Sequence, residues 1–273
     1  MTVLPIGYPD QTGVTVHNWA PPAEPQRLAE HITRHSANSI FLVPTQLRRL
    51  LQMPAQTRAV FQSLNLMISS GAPLQPNERL AIVERLCPNF HEYYASTEGG
   101  GVSLSTPSDL RERPGSVGRP IFGVEVDIVD DLDQPLPAAR VGALRYRGPG
   151  VADNFFRDPD QSALHFRAGW FYPGDLAERD ADGYVYLRGR SKDMIIRGGV
   201  NIYPSEIEDV LLRLPAMREC SVFGLPDADL GEIVACAWVA DEPFSDEQLA
   251  AHCRAMLAPY KVPSRWRRME DRK

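Results

Sequence analysis

Cysteine is scarce: four residues in 273, Cys87, Cys220, Cys236 and Cys253, and no C-x-x-C pair. Spacing this wide argues against a disulfide framework or a cysteine zinc site and fits free thiols in a reducing cytosol. No apolar run approaches the ~20 residues that span a bilayer. The opening MTVLPIGYPDQTG has no basic stretch followed by an apolar one, so it does not read as a signal peptide. The expected location is therefore the cytoplasm, without a membrane span. Positive charge is also short: the net charge is −6, which argues against nucleic acid as a partner. The basic tail, Arg265, Arg267, Arg268, Arg272 and Lys273, reads as a solvated terminus. There is no G-x-x-x-x-G-K-[ST], no G-x-S-x-G and no dinucleotide fingerprint, hence no glycine-rich triphosphate cradle. His31 and His35 have helical metal-ligand spacing, but Glu30 precedes the pair rather than lying between them. That is not a zinc-protease helix, and a solvent-facing helix is the expectation.

Apolar residues make up 43% of the chain, enough for ordinary cores, and the length suggests two domains. The 24 prolines are scattered and punctuate many short elements. The first third alternates helix and strand. PQRLAEHITRH is an amphipathic helix with Leu28 and Ile32 inward, NSIFLVP a buried strand, TQLRRLLQM a helix, LNLMISSG a second buried strand and PNERLAIVERL a helix. This rhythm predicts a parallel sheet with packed helices, whose ligands sit beyond the carboxyl ends of the strands. SSGAPL lies at such an end. Residues 121–188 differ: GVEVDIVD, GALRYRG and GYVYLRG alternate or turn, predicting a small antiparallel, barrel-like region. From residue 189 the order reads β-α-β-β-α. Its first helix is expected to carry a capping box of Ser205 with Glu208, and its second one of Ser245 with Gln248. The expected fold class is thus α/β and α+β, multidomain, with units at 1–120, 121–188 and 189–273.

Three stretches carry the polar chemistry. EYYASTEGGG, from Glu92 to Gly101, gathers two tyrosines, the hydroxyls of Ser96 and Thr97, two carboxylates and three glycines. A tyrosine face stacks on a purine, a threonine hydroxyl donates to phosphate, and a carboxylate holds Mg²⁺ alongside phosphates. A plain polar loop explains the same residues equally well. WFYPGDL puts Asp175 where a ribose acceptor or a simple turn would sit. GRSKDMIIRGGVNIYPSEIE, residues 189–208, sets Gly198 and Gly199 between a strand and a helix.

Taken together and in order, SSGAPL, YYASTE, GWFYPGDLAERDADGYVYLRGR, GRSKDMIIRGGVNIYPSEIE and LAPYKVP resemble the adenylate-forming (AMP-binding) acyl-CoA synthetases, in their acyl-CoA ligase branch. The resemblance runs from about Val14 onward. It implies an ATP-dependent acid–thiol ligase that joins a small carboxylic acid to AMP and then to coenzyme A. Residue by residue, it implies that Gly71, Ala72 and Pro73 line the adenine, with Tyr93, Ala95 and Ser96 in the same nucleotide site. Glu92 would face the adenine amino edge and Tyr94 would stack on the ring. Thr97 would meet the α-phosphate, Glu98 would hold Mg²⁺, and Asp175 and Arg190 would grip the ribose. Lys192 would be the hinge about which a small domain swings. Gly198 and Gly199 would line the coenzyme A channel, where the absence of side chains lets the backbone approach the thiol arm.

The resemblance also implies a phosphate loop ahead of Met1 and a Gly-Lys segment beyond Lys273. The sequence-based expectation is therefore a partial chain with little adenylation activity alone, since one lost charge-stabilising donor costs on the order of 10²–10³ in rate. Ala95, where the family commonly has glycine, adds a methyl near the adenine. The acid pocket would draw on Val43–Pro44 and Gly99–Gly101. Two alternatives stay open: a non-catalytic AMP-binding or interaction remnant, and a ligase that loads a carrier-protein thiol. An incomplete sheet predicts an exposed apolar face and self-association or a partner chain. Size-exclusion chromatography checks this, with elution ahead of a 273-residue monomer as the expected outcome.

Overall fold

The computed structural model describes residues 24–270. The N-terminal stretch weighed as a leader, the start of the resemblance near Val14, and the tail residues Arg272 and Lys273 lie outside them. Three sheets follow one another along the chain.

The first sheet has the order β1 (Ser39–Leu42), β2 (Leu66–Ser69), β3 (Phe90–Ser96), β4 (Gly100–Ser105), β5 (Arg119–Pro120). The first three strands are parallel and β4 and β5 antiparallel, so the parallel sheet expected from the helix–strand rhythm ends at β3. Five helices cover one face: α1 (Pro25–His35), α2 (Pro44–Leu51), α3 (Ala55–Gln62), α4 (Pro76–Arg85) and α5 (Pro107–Glu112). Four of them begin with proline in the first turn, where its missing N–H has no intrahelical partner to lose. Leu28, Leu47, Leu50, Phe61, Ile82 and Leu110 from these helices meet Leu42, Met67 and Phe90 of the strands in a single core. α3 was not evident in the sequence: of its residues only Phe61 is buried, too little for a periodic signal. The opposite sheet face carries Phe41, Ile68, His91, Tyr93 and Leu104, all half-exposed. His31 and His35 stack with ring centroids 6.1 Å apart.

Residues 125–190 form the second sheet, of β6 (Glu125–Val129), β7 (Gly142–Arg147), β8 (Phe166–Arg167), β9 (Trp170–Phe171), β10 (Asp175–Arg179) and β11 (Val185–Arg190). Its order is β11-β10-β7-β9-β8, with β6 also on β7, and α6 (Pro159–His165) preceding β8. The barrel-like expectation is corrected here: β11 and β8 stand at opposite ends and do not pair. Tyr146, Phe171, Leu144, Ile128 and Val185 fill its core.

The third unit contains β12 (Ile195–Arg197), β13 (Val200–Ile202), α7 (Pro204–Leu211), β14 (Met217–Asp227), β15 (Gly231–Ala240), α8 (Asp246–Arg254) and β16 (Arg265–Arg268). The β-α-β-β-α reading lacked two strands, β13 and β16. β13 returns from β12 through Gly198-Gly199. β16 lies parallel to β15 and carries the exposed arginines of the tail. One capping box is as expected: Gln248 N–H donates to Ser245 Oγ at 3.2 Å and Ser245 N–H to Gln248 Oε1 at 2.8 Å. The other is not. Pro204 starts α7 and Tyr203 is its N-cap, because a proline ring is pre-set for the first helical position. Ser205 therefore falls inside the first turn and donates to the Arg188 carbonyl at 3.0 Å, while Glu208 accepts from Val222 N–H at 2.7 Å. No described helix is long and apolar enough to cross a membrane.

The free thiols are placed deep. Cys87, Cys236 and Cys253 are buried and Cys220 half-buried. Burial raises all four, Cys236 to about 12 and Cys253 to about 11. Only the thiolate alkylates, and a thiol near 11 is ~10⁻³ ionised at pH 8. Iodoacetamide at pH 8 should label the native chain slowly and label all four thiols once denaturant is added. Mass spectrometry showing rapid native labelling of Cys236 or Cys253 contradicts this placement.

Candidate functional site

The three side chains read as a nucleotide grip come from two sheets and meet. Tyr94 stands near the end of β3, 81 residues before Asp175, and donates its phenol hydrogen bond to Asp175 Oδ2. Asp175 opens β10 and is register partner to Arg190, the last residue of β11. Arg190 Nε lies 3.5 Å from Asp175 Oδ1. The carboxylate is only 15% exposed, whereas the guanidinium is 60% exposed. Burial raises the Asp175 carboxyl above its ordinary range, while the Tyr94 hydrogen bond and the Arg190 charge pull it back down. Tyr94 is pushed far up by burial and by the Asp175 charge, so its phenol stays a donor throughout the physiological range. Gly174, with φ +84°, makes the turn into β10, and its carbonyl accepts from Ser191 N–H at 2.9 Å. That bond holds the chain just past Arg190. Lys192 then follows in an exposed 3₁₀ turn, Ser191–Asp193.

Thr97 and Glu98 occupy the tight turn between β3 and β4, Thr97 exposed and Glu98 half-exposed. Ser96 pairs with Gly100 across the turn and Ala95 with Gly101. The glycines answer to close approach. A Cβ on Gly101 would lie 1.6 Å from the Tyr93 hydroxyl oxygen and one on Gly99 would lie 1.9 Å from that of Tyr146.

Gly71, Ala72 and Pro73 form an exposed loop just past β2, with Gly71 at φ +99°. Two ion pairs flank it. Arg48 pairs with Glu78 and donates to the Pro73 carbonyl at 3.3 Å, and Glu78 accepts from Gln75 N–H at 2.8 Å. On the inner side Arg79 Nε lies 2.8 Å from Glu92 Oε2, both side chains more than nine-tenths buried, and Arg79 Nη1 donates to the Ser116 carbonyl at 3.0 Å. Burial raises the Glu92 carboxyl, and Arg79 opposes that rise. The carboxylate given to the adenine amino edge by the resemblance is thus turned inward onto Arg79, under the loop that would line the adenine.

Gly198 and Gly199 are the exposed tip of the β12–β13 hairpin, at φ +57° and +80°. Positive φ at both central residues is the two-residue turn that glycine serves best. Gly198 N–H donates to the Leu230 carbonyl at 2.7 Å.

Four residues that the sequence did not single out matter here: Arg48, Glu78, Arg79 and Tyr146. Arg48 and Arg79 have only helical positions to show, and Tyr146 reads as an ordinary strand residue in GALRYRG. Their decisive partners lie beyond one helical turn: Arg48 meets Glu78 across 30 positions, Arg79 meets Glu92 across 13, and Tyr146 meets Ser96 across 50.

Residues 7–156 match the family of AMP-binding enzymes, and residues 206–272 match the AMP-binding enzyme C-terminal domain. The long-chain-fatty-acid–CoA ligase of Escherichia coli O6:H1 is 32% identical over 237 residues, 86% of this chain and 42% of that protein. Among solved structures, the amide bond synthetase McbA of Marinactinospora thermotolerans superimposes with a TM-score of 0.85 at 34% identity, over 91% of this chain and 51% of that one. The o-succinylbenzoate CoA synthetase of Bacillus subtilis, in complex with its acyl-adenylate intermediate, gives 0.82 at 29%, over 91% and 50%. The chain spans about half the length of the curated relatives it matches.

The buried pair makes a stability prediction. Arg79→Met leaves Glu92 buried without its cation and should cost about 3–5 kcal/mol, read from the urea midpoint at pH 7. Arg79→Met with Glu92→Leu removes both charges and should recover most of it. A raised carboxyl penalises folding above its titration and not below it. The loss in the single variant should therefore shrink as the pH falls through the raised Glu92 value.

Proposed function

The chain belongs to the AMP-binding enzyme family, and on that footing we propose that it carries the nucleotide grip of an acid–thiol ligase. That ligase activates a small carboxylic acid with ATP and Mg²⁺ and passes the acyl group to coenzyme A. The carrying observation is the convergence of Tyr94, Asp175 and Arg190 from two sheets. A buried, ionised carboxylate offers acceptors to a ribose diol, and the exposed Arg190 holds its charge and reaches outward to the sugar. The Tyr94 ring supplies an aromatic face for the base, beside the loop of Gly71, Ala72 and Pro73. Tyr93, Ala95 and Ser96 shape the wall of the same site.

At the tip of the β3–β4 turn, Thr97 donates to the α-phosphate and Glu98 meets the metal. Among the described residues no three His, Cys, Asp or Glu side chains gather as a metal site. A single carboxylate suits Mg²⁺ that arrives with the phosphates and keeps several waters. An ion held there by Glu98 would supply positive charge to offset that of the phosphates.

The third unit begins just past the grip, at the exposed Lys192. In this reading rotation there brings the Gly198-Gly199 tip to the thiol arm of coenzyme A, as the hinge of a domain closure. Family membership and the relatives' names support the ligase reading, and the fit of one carboxylate to Mg²⁺ supports the cofactor.

Isothermal titration with AMP and Mg²⁺ tests the grip. The chain should bind AMP, and Asp175→Asn should weaken binding about tenfold or more, the loss of charge-assisted acceptors. Affinity should fall on acidification, starting above the ordinary aspartate range because the Asp175 carboxyl is raised. No AMP binding, or binding indifferent to Asp175, rejects the reading. Pyrophosphate release with ATP and a panel of acids separates a ligase from a binding remnant, and coenzyme A against a phosphopantetheinylated carrier identifies the thiol.

A further inference from the structure

Tyr146 lies in the second sheet, fully buried, and packs edge-on against Phe171 with centroids 5.4 Å apart. A buried phenol needs a hydrogen-bond partner, and Tyr146 finds it outside its own sheet. Its hydroxyl is 2.9 Å from Ser96 Oγ, at the start of the β3–β4 turn. The same Ser96 Oγ accepts from Gly99 N–H at 2.8 Å, so the serine hydroxyl closes the turn on itself. The strand residue therefore clamps the two ends of the Ser96–Gly99 segment, and Thr97 and Glu98 are the two residues between.

The strand's own continuation adds to the clamp. Ala152 N–H donates to the Glu98 carbonyl at 2.8 Å, and the Gly150 carbonyl would stand 3.2 Å from a Cβ on Gly100. Gly99 is a glycine for the same reason: the Tyr146 hydroxyl and ring edge fill the place of its side chain, at 1.9 and 2.4 Å. Burial raises the Tyr146 phenol to about 12.

Resting on the AMP-grip reading above, we infer that Tyr146 is a positioning residue, which sets the Thr97–Glu98 turn against the phosphate through Ser96. It touches neither nucleotide nor metal. The effect of its hydroxyl must then fall on the phosphate end of the ligand and spare the nucleoside end, where Tyr94 shares a core with the Tyr146 ring but bonds to Asp175 rather than to the Tyr146 hydroxyl.

The experiment compares AMP with adenosine, each titrated in Mg²⁺ against the wild-type chain, Tyr146→Phe and Ser96→Ala. Tyr146→Phe keeps the buried ring and deletes only the bridge. It should weaken AMP about five- to tenfold, the worth of one net hydrogen bond, and change adenosine less than twofold. Ser96→Ala removes both the bridge and the acceptor for Gly99 N–H without touching the second core, and should weaken AMP at least as much as Tyr146→Phe, which keeps the test available should Tyr146→Phe fold poorly by thermal melt. Gly99→Ala should mimic the loss by steric displacement, and pairing it with Tyr146→Leu should relieve the clash and recover part of the AMP affinity. Equal weakening of AMP and adenosine, or no change in either, overturns the positioning role while the wild-type titration still supports the grip. A wild-type chain that binds neither ligand overturns the grip itself and this inference with it.

Discussion

A carboxylate removed from water must be compensated where it stands, and the architecture around the candidate site follows from how Asp175 meets that demand. Its compensation comes from β3 of one sheet, through Tyr94, and from β11 of the next, through Arg190. The joint between two sheets is therefore also the place where an aromatic face, an acceptor and a cation come together. Tyr94 packs against the second core although its strand belongs to the first sheet. The polar contact and the apolar contact thus hold the same interface, and neither sheet can shift without disturbing the grip. The chain leaves this joint at Arg190 and enters the third unit two residues later, at a point that is exposed and makes few commitments.

Glycine does two unlike jobs in this molecule, and the sequence does not separate them. At Gly198 and Gly199 the backbone itself demands glycine, because both residues have positive φ in a hairpin tip. At Gly99 and Gly101 the demand comes from outside, from phenol oxygens that occupy the space of a Cβ. GG and GGG look alike as text. The first is readable as a turn from its flanking strands, had β13 been recognised. The second depends on two tyrosines: Tyr93, eight residues away across the β3–β4 hairpin, and Tyr146, 47 residues away, whose approach is set by how two sheets pack.

The same limit explains what the sequence made legible. Leu28 and Ile32 are buried as the helical period required, and Ser245 with Gln248 caps its helix, because each is settled within one turn of chain. Ser205 with Glu208 matches the same pattern and fails, since Pro204 one residue earlier claims the helix start and both side chains find partners beyond the helix. Asp175 alone read as a ribose acceptor or a turn, and only the family resemblance joined it to Tyr94 and Arg190, since nothing in their spacing does. The resemblance placed Glu92 at the adenine edge, whereas nothing in the sequence marked Arg79, the buried partner that its carboxylate meets. Tyr146 had no signal at all, being a strand residue whose one polar contact crosses 50 positions.

Both segments that the proposed function assigns to the nucleotide are short exposed turns, which elsewhere in a protein would be the mobile parts. Here each is tied to something buried or ion-paired. The loop at Gly71–Pro73 leads into the buried Leu74 and into Gln75, whose N–H is held by the ion-paired Glu78, and its Pro73 carbonyl is held by Arg48. The Ser96–Gly99 turn is held by a fully buried tyrosine and by Ala152 N–H. Ordering a loop costs roughly 1–2 kcal/mol per residue in backbone entropy. When that ordering is met by folding, a ligand need not meet it again on binding. The glycines give these turns a backbone without side chains, and the tyrosines and ion pairs keep that backbone from using its freedom. Close approach to a phosphate or a purine needs both properties together, and they come from opposite sides of the same short segments.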